Sequence, residues 1–217
     1  MAKHLTRDLD AIKIETLSIG SLVEAAIRDS VHSLTARRVE LAESVIAGDR
    51  EIDLREVSLE DDCLKVLALH QPVAADLRFV VAVLKVNNDL ERMGDLAVNI
   101  AKRAIVLAAE DSLSAQLDLT DMGEATIGMV KHSLESLVRT DVEAARAVMD
   151  ADEVVDAHHL ESYAAAKEII ARDSGAAERA IELLSVSRNL ERIGDLATNI
   201  AEDVVSLVEG EIIRHRA

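Results

Sequence analysis

Two stretches of the sequence, one hundred residues apart, decide the fold. Residues 86–107 read VNNDLERMGDLAVNIAKRAIVL, and residues 186–207 read VSRNLERIGDLATNIAEDVVSL. Twelve of the 22 aligned positions are identical. A self-match at a fixed offset is typical of an internal repeat. The chain is therefore predicted to contain two copies of one structural unit.

The apolar residues of the first stretch recur at alternating steps of three and four, which indicates one face of an α-helix. They are Leu90, Met93, Ala97, Ile100, Ala104 and Leu107. No segment alternates as a half-buried strand does. Phe79 and Tyr163 are the only aromatic residues and Pro72 is the only proline, in a chain that is 49% apolar. This composition is typical of a helical bundle.

The helix start and stop signals along the chain predict three helices in each copy. The first copy is expected to place them at about 5–33, 35–69 and 73–109, and the second at 120–138, 141–171 and 176–208. Pro72 fits a first turn, and Gly175 and Gly210 fit helix ends. The fold class predicted is all-α, a tandem pair of three-helix bundles. The predicted domains are residues 1–109 and 120–217, joined by a polar linker over residues 110–119.

Charge and cysteine content limit the partners and the compartment. The formal net charge is -17, which argues against a nucleic acid or an anionic membrane as the main partner and favours cations or basic protein surfaces. Cys63 is the only cysteine, so no intrachain disulfide can form. No segment approaches the roughly 20 apolar residues of a membrane span. We expect a cytoplasmic, soluble protein.

Each repeated motif carries a row of side chains that could bind a cation. Glu91 and Asp95 lie one helical turn apart, and Glu191 and Asp195 repeat the pair. Like charges at this spacing destabilise a helix, on the order of 0.2–0.5 kcal/mol, unless a cation lies between them. The open alternative is a solvated face whose charges pair with neighbours, such as Asp89 with Arg92.

A second acidic row is expected on the middle helix of each copy. In the first copy it is Asp49, Asp53, Glu56 and Glu60, and in the second it becomes Asp152, Asp156, His159 and Tyr163. Apolar residues flank the first row, with Ile52 and Leu59 on one side and Val57 and Leu64 on the other. We therefore expect these acids to face a partner helix, where they need cations or hydrogen-bond donors.

The chemistry of these rows favours hard metal ions. Carboxylate oxygens suit magnesium, manganese, calcium or oxygen-ligated iron, and His159 is a possible borderline ligand. Gly94 and Gly194 interrupt the motif helices at the same register. A glycine inside a helix costs about 1 kcal/mol relative to alanine, so these two predict either close helix packing or access to the neighbouring carboxylates.

Several segments resemble the signature segments of the PhoU family. They are QPVAADLR at 71–78, LERMGDLAVNIAKR at 90–103 and NLERIGDLATNIAE at 189–202, and the likeness spans nearly the whole chain. The resemblance implies two three-helix bundles with iron or zinc held at E(D)xxxD motifs, and magnesium or manganese remain possible. Mapped onto this chain, the implied metal ligands are Asp49, Asp53, Glu91, Asp95, Asp152, Asp156, Glu191 and Asp195.

The resemblance also implies a non-enzymatic regulator. Such a protein restrains phosphate uptake and the phosphate-starvation response, and contacts the ATPase subunit of a phosphate ABC transporter and a membrane sensor histidine kinase. An apolar second surface suggests a homodimer. One departure is Leu196, where many relatives carry histidine or another polar residue. The rival hypothesis is a carboxylate-bridged metalloenzyme, but this sequence lacks the Glu-x-x-His pattern of that class.

Overall fold

The computed structural model describes residues 2–113 and 117–210, which form six long α-helices and no strand. The helices are α1 (Ala2–Thr35), α2 (Val39–His70), α3 (Ala74–Ala108), α4 (Thr120–Arg139), α5 (Val142–Arg172) and α6 (Ala177–Glu209). A short 3-10 helix, Ser174–Ala176, precedes α6. The all-α prediction is confirmed. Among the described residues, no helix is long and apolar enough to cross a membrane.

The helix boundaries agree with the prediction to within a few residues, and the differences have local causes. α1 continues to Thr35, and α2 begins only at Val39. The turn between them places Arg37 at φ 55°. No glycine or proline lies in this segment, so the sequence gives no local signal of the turn. The Arg37 guanidinium donates to the Ala108 carbonyl at 2.7 Å, which anchors this turn to the end of α3.

The two glycines expected at helix ends behave differently. Gly210 follows α6 with φ 74°, as predicted for a left-handed cap. The prediction for Gly175 is wrong, because α5 ends at Arg172 with Asp173 as its C-cap, and Gly175 lies inside the 3-10 helix. Its N–H donates to the Asp173 carboxylate at 2.9 Å. Residues 114–116 of the predicted linker and residues 211–217 of the second domain lie outside the described residues.

One hydrophobic core runs through both repeats. α1, α2 and α3 pack together, as do α4, α5 and α6, while α1 contacts α4 and α3 contacts α6 across the repeats. The predicted apolar face of α3 is fully inside this core, since its six residues, Leu90 to Leu107 in steps of three and four, are at most 8% exposed. The repeats therefore form one body with a shared interior.

Two glycines set the crossing of α1 and α4. A Cβ added at Gly20 would lie 2.2 Å from Leu134 Cδ1, and one added at Gly123 would lie 3.1 Å from Val31 Cγ2. Adding 103 to Gly20 gives Gly123, and adding 103 to Val31 gives Leu134. Each repeat thus inserts one branched side chain over the glycine of the other, so an approximate twofold relation holds across this contact.

The Gly20 contact predicts a large effect for one added methyl group. We expect Gly20→Ala to lower the free energy of unfolding by about 0.5–2 kcal/mol, because moving Leu134 in a packed core costs about 1–3 kcal/mol, which exceeds the gain of roughly 0.5–1 kcal/mol from replacing a helical glycine. Gly48→Ala is the matched control, since nothing lies within 4 Å of a Cβ built there. The control should instead gain roughly 0.5–1 kcal/mol. Chemical denaturation measures both, and equal responses of the two variants would contradict the packing described.

Candidate metal site in two carboxylate grooves

In each repeat the predicted site residues lie near one another where the middle helix packs against the last helix, and we call this acidic seam a groove. The groove of the first repeat, which we call the N-terminal groove, is made by Asp49, Asp53, Glu56, Glu91 and Asp95. The C-terminal groove is made by Asp152, Asp156, His159, Glu191 and Asp195. The structure thus brings each pair from a middle helix together with the pair from the motif helix of the same repeat.

The N-terminal groove is held in register by a hydrogen-bonded asparagine. Asn87 Nδ2 donates to the Glu56 carbonyl at 2.8 Å and to Glu56 Oε1 at 3.2 Å. Asn87 precedes the motif by three residues and is 1% exposed. The sequence analysis did not identify Asn87 as a site residue. A signal was present, because Asn87 lies in the repeated stretch and differs from its counterpart in the second copy, Ser187.

Both motif glycines lie where the middle helix approaches. A Cβ added at Gly94 would lie 3.2 Å from Asp49 Oδ1 and 3.2 Å from Ile52 Cδ1. At Gly194 the equivalent distances are 3.3 Å to Asp152 Oδ1 and 3.4 Å to Val155 Cγ1. The close-packing interpretation is confirmed, and the side chains that pack over both glycines include a carboxylate of the middle helix.

The α2 carboxylates are less enclosed than the sequence predicted. Asp49 and Glu56 are half-buried, but Asp53 and Glu60 are exposed. The expectation that the whole row faces a partner helix is wrong. The apolar residues on the outer flank of the row are exposed to solvent, Val57 by 61% and Leu64 by 50%. This is because only the inner side of α2 contacts the other helices of a three-helix bundle.

Proximity and burial raise the pKa values of three acids in the N-terminal groove, which are Asp49, Glu56 and Glu91. Burial raises the pKa of Asp49 most, followed by the charges of Asp53 and Asp95. Burial also raises the pKa of Glu91 first, with Asp95 and then Asp53 adding to it. The pKa of Glu56 is raised by burial and then by Glu60 and Asp53. These acids therefore share one negative field.

The C-terminal groove shows the same pattern more strongly. Burial, then Asp156 and Asp195, raise the pKa of Asp152 to about 6. Burial and Asp156 raise the pKa of Asp195. Burial raises the pKa of Glu191 most and Asp195 raises it next, while Arg188 partly offsets the rise.

Neighbouring cations do not neutralise these acids. Within residues 2–113 and 117–210, none of the eight predicted ligand carboxylates lies at salt-bridge distance from a lysine or arginine. The alternative of local pairing holds for Asp89 with Arg92, at 3.3 Å, but does not extend to Glu91 or Asp95. Lys102 lowers the pKa of Asp49 and Arg192 that of Asp195 from beyond salt-bridge distance, so the negative charge of the grooves is compensated only in part.

The two grooves differ where Glu56 is replaced by His159. His159 Nδ1 lies 2.9 Å from Ser187 Oγ, and that hydroxyl donates to Met122 Sδ at 3.4 Å. In the tautomer in which Nδ1–H donates to Ser187 Oγ, the lone pair of the imidazole lies on Nε2 and is available to a metal ion. The His159–Ser187 contact stands where the first repeat has Glu56 and Asn87.

The donor set fits a hard cation by its chemistry. Each groove offers four acidic side chains at the predicted ligand positions, and clustered oxygen ligands with net negative charge suit divalent metals. In the described part of the chain, however, no three His, Cys, Asp or Glu side chains are gathered so as to hold a metal ion. Binding one would require the carboxylates to turn towards a common point.

The fold and these grooves define a class of two-repeat, all-helical proteins with an acidic groove in each repeat. Comparison with known families agrees on the two repeats. The model described as PhoU domain matches the chain twice, over residues 16–104 and 119–204. The chain therefore belongs to the PhoU family.

Individual relatives cover nearly the whole chain. A curated protein of Aquifex aeolicus, named phosphate-specific transport system accessory protein PhoU homolog, is 39% identical over 98% of this chain and 96% of its own length. The crystal structure of PhoU from Pseudomonas aeruginosa has a TM-score of 0.90 and 33% identity, and covers 95% of this chain and 99% of that one. That of the phosphate transport system regulatory protein PhoU from Streptococcus pneumoniae has a TM-score of 0.86 at 29% identity, covering 96% and 99%.

The raised pKa of Asp152 predicts an unusual pH dependence in chelator-treated protein. The folded state holds this proton up to a pH of about 6, whereas the unfolded chain releases it near pH ~4. The folded state thus binds more protons in this window, so the free energy of unfolding contributed by this group falls as pH rises through it. Asp152→Asn should remove that loss.

Thermal unfolding at pH 4.5 and pH 7.5 measures the effect. We expect Asp152→Asn to stabilise the protein at the higher pH more than at the lower one. Glu153→Gln, an exposed position of the same helix, should show no such difference. A gain from Asp152→Asn that is the same at both pH values would refute the raised pKa.

Proposed function

We propose that this chain is a cytoplasmic, metal-binding regulator of phosphate uptake that acts by protein contact and not by turnover. The observation that carries the proposal is the pair of acidic grooves. Each contains raised pKa values and no lysine or arginine at salt-bridge distance from its predicted ligands. A folded protein that concentrates negative charge in this way is stabilised by any cation that binds the folded state preferentially.

The proposed ligands are the eight carboxylates at the E(D)xxxD positions. They are Asp49, Asp53, Glu91, Asp95, Asp152, Asp156, Glu191 and Asp195. A bound divalent ion would supply the positive charge that the grooves lack and would draw the middle and last helices of a repeat together. The contacts over Gly94 and Gly194 support this, because they already bring Asp49 and Asp152 against the motif helices.

The proposed metal is iron or zinc, with magnesium or manganese as the oxygen-ligand alternatives. The N-terminal groove offers oxygen donors, which suit hard ions. In the C-terminal groove, His159 Nε2 adds a nitrogen donor of the kind that zinc and iron accept. Ser187 would act behind it by fixing the ring, as outer hydrogen-bond partners of metal-binding histidines commonly do.

The regulatory part of the proposal rests on the relatives. The curated relative of Aquifex aeolicus carries the name of a phosphate-specific transport system accessory protein, and the solved Streptococcus pneumoniae protein that of a phosphate transport system regulatory protein. We propose that this chain acts in the same way, as a negative regulator that links the ATPase subunit of a phosphate ABC transporter to a sensor histidine kinase. We further propose a homodimer.

Metal analysis tests the site. Protein purified without chelator should contain metal by mass spectrometry of the elements. Glu91→Gln combined with Asp95→Asn should remove the metal of the N-terminal groove, roughly half the total if both grooves bind equally, because these carboxylates supply half of its proposed ligands. Glu153→Gln with Glu161→Gln makes the same charge change at exposed positions of α5 and should leave the content unchanged.

A metal content that is unaltered in the Glu91→Gln/Asp95→Asn variant, with the variant folded by circular dichroism, would overturn the ligand assignment. The regulatory role has a separate test. A phosphate-responsive reporter in phosphate-rich medium should rise several-fold when this gene is deleted, and fall again when the wild-type chain is supplied. Repression that survives the deletion would overturn the regulatory role while leaving the metal site standing.

A further inference from the structure

Two ion pairs connect the repeats through α3 and α6. Lys85 Nζ lies 3.1 Å from Asp203 Oδ1, and the Asp203 side chain is only 4% exposed. At the other end of the contact the Arg103 guanidinium bonds to the Glu182 carboxylate, with both side chains about one-third exposed or less. Since Lys85 meets Asp203 and Arg103 meets Glu182, the two helices run antiparallel.

The two ion pairs lie at positions that the internal repeat relates to each other. Adding 100 to Arg103 gives Asp203, and adding 100 to Lys85 gives Ser185, which lies one turn after Glu182. A twofold rotation that exchanges the repeats therefore exchanges the two ends of the contact. The charges do not follow this symmetry, because both cations belong to α3 and both anions belong to α6.

The apolar part of the two helices offers little to tell them apart. Ten of the twelve residues from Leu90 to Ala101 are identical in the other copy. Leu96 and its counterpart Leu196 are both buried, at 5% and 3% exposure. A central segment that is nearly the same in both helices gives little basis for discrimination between partners, which falls to the residues that differ.

We propose that this charge arrangement makes α3 an interaction surface that accepts α6 and rejects another α3. Pairing of two first repeats from separate molecules would place Lys85 beside Arg103 at both ends of the contact. Pairing of two second repeats would bring Asp203 to Glu182. Like charges in a partly buried interface oppose association, so only the pairing of a first with a second repeat satisfies every charge.

This selection matters because exchange of repeated units is a common route to interlocked oligomers. Two identical chains could pair first repeat with first and second with second, using the same apolar surfaces as in the monomeric fold. The charges on α3 and α6 oppose that outcome without changing the core. The inference is independent of the metal site and of the regulatory role.

Charge exchange at one end of the contact tests the proposal. Lys85→Asp with Asp203→Lys keeps an ion pair within the chain. The first repeat then carries an acid at position 85 together with Arg103, and the second carries a base at position 203 together with Glu182. Both like-with-like pairings therefore gain attraction at both ends. Adding Arg103→Glu and Glu182→Arg restores repulsion in both, while the chain's own pairs survive with reversed sign.

The measurement is the fraction of oligomer after refolding at high protein concentration, by size-exclusion chromatography with light scattering. The sample is first diluted, so that reversible surface dimers dissociate while interlocked chains persist. We expect a several-fold rise in persistent oligomer for the two-residue variant and a return to the wild-type fraction for the four-residue variant. Circular dichroism confirms that both fold.

Two results would overturn the proposal: a two-residue variant with no more persistent oligomer than wild type, or a four-residue variant with as much as the two-residue one. If Lys85→Asp with Asp203→Lys fails to fold, Arg103→Glu with Glu182→Arg makes the same change at the opposite end. That variant must then give the same rise.

Discussion

The close approach of a middle helix to the glycine of a motif helix is the contact on which the rest of the structure depends. At Gly94 and again at Gly194 a carboxylate oxygen and a branched apolar side chain lie so close that a single added carbon would force them to move by a few tenths of an ångström. The branched residue joins the core, whereas the carboxylate is half-withdrawn from water. The same approach therefore packs the bundle and raises the pKa values of the groove.

This arrangement works against stability in the metal-free chain. A helix-interior glycine costs about 1 kcal/mol relative to alanine, and half-buried carboxylates without cationic partners lose hydration and repel one another. The continuous core of the two repeats outweighs these terms. Local choices that oppose the stability of the fold, and recur at the same register in both repeats, are typical of sites kept for binding.

The sequence was sufficient for the fold class and the repeat, because the helical period and the offset of 100 residues are properties of single segments. It also predicted which carboxylates share a groove. It could not predict features that depend on how helices are placed against one another. Gly20 meets Leu134 only through the crossing of α1 and α4, Asp53 is exposed because α2 has an outer side, and the left-handed Arg37 carries no local signature.

The two repeats show which positions can diverge within one frame. The glycines at which helices approach closely are the same in both copies, while the groove residues that flank the carboxylate pairs differ: Glu56 with Asn87 in one, His159 with Ser187 in the other. The charged residues at the contact between the repeats differ as well, since α3 carries Lys85 and Arg103 whereas α6 carries Asp203 and Glu182. Because the shared contacts fix the backbone, each copy can change its ligand chemistry and its partner preference separately, without altering the packing that both require.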